Sequence, residues 1–79
     1  MTVSAAVAKR IKNLCIENNL SVNKLSLMSG LTQSTLQSII CGKSHNPTLL
    51  TIARICDTLN IELSDFFDDE LFKNLDIEL

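Results

Sequence analysis

Apolar side chains recur along this chain at intervals of three and four residues, in short runs separated by polar, cap-forming segments. That period is the signature of amphipathic helices. Val7, Ile11, Leu14 and Cys15 make one apolar face of a first helix from about Ser4 to Asn18, with Lys9, Arg10 and Lys12 on its polar side. Asn18-Asn19 ends it, because asparagine tolerates the left-handed backbone of a helix stop. Ser21 is placed to cap a second helix, its hydroxyl accepting from an orphan backbone N–H. Val22, Leu25 and Ser29 form the inner stripe of that helix, with Met28 alongside. Gly30 follows, where a tight turn needs a positive φ, and Leu31 plugs the core beyond it. Thr32 caps a third helix running to about Cys41, with Leu36, Ile39 and Ile40 inward and Gln33, Ser34, Gln37 and Ser38 outward. Gly42 stops it and Lys43 to Pro47 form a loop. Thr48 caps a fourth helix, Leu49 to Leu59, with Leu49, Ile52, Cys56 and Leu59 inward. After Asn60 to Glu62, a fifth helix begins near Leu63 and carries Phe66 and Phe67.

Composition supports an all-α domain. Of 79 residues 46% are apolar, enough for a compact core, and only two glycines and one proline interrupt the periodic runs. Chains of this length form one domain that is marginal unless well packed. No apolar run approaches the length that spans a bilayer. The N-terminal stretch MTVSAAVAKRIKN places small residues before basic ones, the reverse of a secretory signal, so a cytoplasmic location is expected. Cys15, Cys41 and Cys56 form no CxxC pair and only one histidine is present. This pattern provides neither a disulfide framework nor a zinc site, and no metal or cofactor is expected. Nor is an enzyme: the single histidine stands alone and no glycine-rich loop is available to cradle a phosphate.

Charge adds a direction to the chain. The net charge is −2, yet residues 1–56 hold six basic side chains against one acidic one, and residues 57–79 hold eight acidic side chains against Lys73 alone. Such asymmetry fits either a nucleic-acid surface followed by an acidic tail or two solvated faces that keep a small protein soluble.

The second and third helices, joined at Gly30, read as a helix-turn-helix unit. In that unit the second helix lies in the DNA major groove. Its outward residues Gln33, Ser34, Gln37 and Ser38 are polar and uncharged, whereas an ordinary solvated face carries lysine and glutamate. Glutamine bonds adenine N6 and N7 together, and serine bonds donors or acceptors on either base.

The ordered set of residues behind this unit is Leu20 and Ser21, Leu25, Gly30, Thr32 and Gln33, Leu36 and Ile39, then Gly42, Asn46 and Pro47. It resembles the phage-repressor family (lambda repressor and Cro-like, also called XRE), and flanking matches extend the resemblance from about Ile11 to Phe67. The resemblance implies a compact five-helix lambda-repressor-like domain that binds double-stranded DNA and regulates transcription. It implies base contacts from Gln33, Ser34 and Ser38, with Gln37 next. It also implies phosphate contacts from Ser21, Asn23, Lys43, Ser44, Asn46 and Thr48, with Arg10 a weaker candidate. His45, the single histidine, lies in the same loop; a lone loop histidine is ordinarily exposed, and a phosphate contact is the alternative. Two positions depart from the family pattern. Val22 replaces a glutamine that touches phosphate, and Ile40 replaces a glutamate that pairs with an arginine at the Arg10 position.

The expected organisation is a DNA-binding domain over residues 1–69 and an acidic extension over residues 70–79. Phe72, Leu75, Ile77 and Leu79 exceed what a five-helix core needs; they pack either on the domain itself or on a second copy. The functional expectation is a repressor acting as a homodimer on a palindromic operator. The alternative is a protein-interaction module or antitoxin on the same scaffold, with its partner at the acidic C-terminus.

Overall fold

The computed structural model describes residues 1–43 and 46–77; Ser44, His45 and Leu79, named above, lie outside them. Five α-helices follow in order: α1 (Val3–Glu17), α2 (Val22–Ser29), α3 (Gln33–Ile40), α4 (Leu49–Leu59) and α5 (Leu63–Phe67), then a single 3-10 turn, Glu70–Phe72. Each helix starts where its sequence supplies a cap. The hydroxyls of Thr2, Ser21, Thr32 and Thr48 accept from the backbone N–H groups of Ala5, Lys24, Thr35 and Thr51. Glu62 and Asp65 form a reciprocal capping box on α5, so two orphan donors are satisfied at once. Gly30 ends α2 at φ 76° and Asn60 ends α4 at φ 58°, both in the left-handed region that these residue types tolerate.

The core is one cluster. Val7, Ile11, Leu14 and Cys15 of α1 meet Leu25 of α2, Leu36 and Ile39 of α3, Ile52, Ile55 and Cys56 of α4, and Phe66 of α5. Helix α3 packs on α1 and α2, α4 on α2 and α5, and the 3-10 turn on α1. Burial raises the thiol pKa of both Cys15 and Cys56, which keeps them protonated and inert; Cys41 is exposed.

Two inward faces differ from the periodicity reading. Leu49 is 63% exposed, and Ile55, fully buried, takes its share of the core. Leu49 is the first residue of α4, and the core begins only one turn later at Ile52. On α2, Met28 is half exposed while Ser26 is buried. The covered side of α2 faces both α3 and α4, and Ser26 on that side satisfies its hydroxyl on the Leu31 carbonyl.

The chain beyond α5 folds back along α1. Phe72 packs against the core, and its ring lies 5.9 Å from Phe66 and 5.0 Å from Phe67, the latter edge-on. Leu75 is half-buried and Ile77 exposed. Asp76 pairs with the start of the chain through one parallel bridge to Thr2. No described helix is long and apolar enough to cross a membrane.

Candidate nucleic-acid interface

The two faces of α3 have opposite chemistry. Leu36 and Ile39 are buried and Ile40 is half-buried against the core, which fixes the helix on its inner side. Gln33, Ser34 and Gln37 are exposed and Ser38 is half-buried on the other side. Near the end of the helix the Cys41 thiol lies 3.9 Å from Gln37 Oε1.

A groove of about 370 Å³ runs between α3 and the start of α4. Its polar lining is Ser34, Thr35 and Ser38 on one wall and Asn46, Thr48 and Thr51 on the other. Two expected base readers, Ser34 and Ser38, thus share one surface with two expected phosphate ligands, Asn46 and Thr48. Gln33 and Gln37 lie outside that groove, on the exposed face of α3. Ser21 and Asn23 are exposed at the start of α2, and Lys43 is exposed after α3.

Thr35 and Thr51 belong to this surface although the residue pattern did not single them out. The signal was present: hydroxyls stand three residues apart at Thr32 and Thr35, and again at Thr48 and Thr51. Thr48 Oγ1 accepts from the Thr51 backbone N–H at 3.1 Å and lies 2.9 Å from Thr51 Oγ1. Thr32 and Thr35 repeat this arrangement at 3.1 and 2.8 Å. A hydroxyl pair owns two protons and uses one internally, so each pair keeps one O–H to offer an acceptor outside the protein.

Arg10, the weaker phosphate candidate, bonds within the chain. Its Nε donates to the Phe66 carbonyl at 2.8 Å and its Nη2 to the Asp65 carbonyl at 2.9 Å. Nη1 lies 3.2 Å from the Asp69 carboxylate, the side chain is only 12% exposed, and the guanidinium sits 6.0 Å above the Phe66 ring. Ile40 stands where a glutamate was expected near it, and this arginine binds the C-terminal part of the chain, its charge paired with Asp69.

Residues 10–71 match the family described as the Cro/C1-type HTH DNA-binding domain. Over 50 residues, 63% of this chain, the sequence is 36% identical to the HTH-type transcriptional regulator SlrR of Bacillus subtilis strain 168, and spans about a third (33%) of its length. The fold is similar to the crystal structure of the prophage Lp1 protein 11, with a TM-score of 0.83 and 33% identity over 95% of this chain and 99% of that one. It is also similar to an HTH_3 family transcriptional regulator from Vibrio cholerae, with a TM-score of 0.78 and 28% identity over 86% of this chain and 38% of that one.

Proposed function

Because this chain belongs to the Cro/C1-type helix-turn-helix DNA-binding domain family, we propose that it is a sequence-specific transcriptional repressor that binds a palindromic operator as a homodimer. The observation that carries the reading is the outer face of α3. Its exposed residues are amides and hydroxyls, and the adjoining groove adds Asn46, Thr48 and Thr51. Gln33, Ser34, Gln37 and Ser38 read base edges. Ser21, Asn23, Lys43, Ser44, Asn46 and Thr48 hold the two phosphate strands, which fixes the register in which the bases are read. The free N–H groups at the starts of α2 and α4 favour phosphate oxygens there.

A single module of this kind covers only about 600–1,000 Å² on DNA. Two copies one helical turn (~34 Å) apart double that area and match a two-fold operator. A domain seated on an operator represses by excluding other proteins from the same DNA. A protein partner at the acidic C-terminus is the second reading, supported by Ile77, which is 70% exposed and follows Asp76 directly.

Selection of bound fragments from a random DNA pool tests the proposal. The expected product is an inverted repeat; recovery of no enriched sequence, with binding that does not fall as salt rises, overturns it. On the selected site, Gln33→Ala is expected to cost about 1–3 kcal/mol and to relax the preference at one base position. Lys43→Ala is expected to weaken all sequences alike and to make the dependence of log K on log salt shallower by about one, since one fewer counterion is released. Titrations at several salt concentrations separate the two effects, and a Gln33→Ala protein with unaltered sequence preference removes that residue from the reading set.

A further inference from the structure

Ser26 is the one polar residue among the described residues that is buried, at 7% exposure. It lies on α2, one turn before the helix ends. Its hydroxyl donates to the Leu31 carbonyl at 2.6 Å. Ser29, on the same helix, accepts from the Leu31 backbone N–H at 3.3 Å and donates to the Ser26 carbonyl at 3.4 Å. That carbonyl also takes the Gly30 N–H at 3.1 Å. Both backbone polar groups of Leu31 are therefore held by serine side chains of α2. These groups belong to two successive peptide planes, and the second of them joins Leu31 to Thr32, the cap of α3.

The consequence is geometric. Gly30 at φ 76° leaves the turn without side-chain restraint, and α3 is only eight residues long. With both Leu31 peptide planes fixed and the Leu31 side chain packed on the core, the direction in which α3 leaves the turn is set within one residue of its cap. Gln33 and Ser34 follow that cap immediately, so a small rotation at Leu31 displaces both. Interactions that fix a recognition group in place are felt at the group they position, even when they touch no ligand.

We infer that Ser26 and Ser29 are positioning residues for DNA reading: a pair of serine hydrogen bonds to Leu31 orients the reading helix relative to α2. The inference rests on the proposed assignment of α3 to the major groove. It separates two quantities that ordinary destabilisation moves together. Non-specific binding depends on phosphate charge and tolerates a loosely set α3; specific binding does not.

The test uses the full chain, with DNA selected by the wild-type protein and a scrambled duplex of the same length. Ser26→Ala and Ser29→Ala are assayed where circular dichroism shows each fully folded. Ser26→Ala is expected to lower affinity for the selected site about two- to tenfold, the loss of one net hydrogen bond, and to leave affinity for scrambled DNA unchanged. In a Gln33→Ala background the same substitution is expected to have a smaller effect, because the contact it positions is already gone; a purely structural role leaves the effect at full size. Ser29→Ala, at a half-buried site, provides the same comparison if Ser26→Ala does not fold. A positioning variant that reads the selected site as well as wild type, or loses equally on both DNAs, overturns the inference. A wild-type protein with no sequence preference overturns the α3 reading itself, and the inference with it.

Discussion

Truncation of Phe66 to alanine is expected to destabilise the domain by about 3–5 kcal/mol. A chain of this length is held by only about 4–12 kcal/mol in total, so the variant loses a large part of its stability. The side chain is fully buried and stands where α5, the 3-10 turn and α1 converge. Its ring packs edge-on against Phe67 at 5.0 Å, lies 5.9 Å from Phe72, and has the Arg10 guanidinium 6.0 Å above it. Removing it takes away the transfer free energy of the ring and leaves a cavity that three elements border, so collapse into the space is limited. Phe67→Ala, at a position already 37% exposed, is expected to cost much less. Urea titrations of both variants followed by circular dichroism check the contrast. Equal midpoint shifts, or a larger shift for Phe67→Ala, place the aromatic core elsewhere.

The same pair of phenylalanines shows where a sequence stops being informative about packing. Both fall in the fifth helix, and nothing local distinguishes them; which one is buried depends on where α1 and the returning C-terminal segment lie. The helix ends were legible for the opposite reason. Ser21, Thr32 and Thr48 cap, and Gly30 and Asn60 stop, through bonds and dihedrals that involve only the next few residues. The face a helix buries involves partners distant in sequence. Periodicity therefore located α2 and α4 but exchanged Met28 for Ser26 and Leu49 for Ile55. In the candidate site, the chemical character of α3 was readable because its outward residues share one chemistry. The hydroxyl spacing that marks Thr35 and Thr51 was legible too, but not that the two residues share one groove, since that arises from α3 and the start of α4 closing on each other. Arg10 was the least readable residue of all: its partners lie 55 to 59 positions away.

That separation gives Arg10 a distinctive expected phenotype. Replacing it with methionine retains much of the apolar stem and removes the guanidinium. The part-buried Phe66 carbonyl then loses its donor, the Asp65 carbonyl turns to water, and Asp69 is left without its counter-charge. Hydrogen bonds from a charged donor are worth about 1.5–3 kcal/mol each, and the more exposed Asp65 and Asp69 contacts contribute less through solvent screening. A loss of about 2–3 kcal/mol is expected. Asp69→Asn is expected to cost only a fraction of that, because both carbonyl contacts survive it. DNA binding provides the opposing measurement. If Arg10 clamped a phosphate, Arg10→Met would make the salt dependence of binding shallower by about one and leave the urea midpoint nearly unchanged. A guanidinium spent on α5 and the segment after it predicts the reverse: a lower midpoint, and a salt dependence equal to wild type when the folded fraction is held constant.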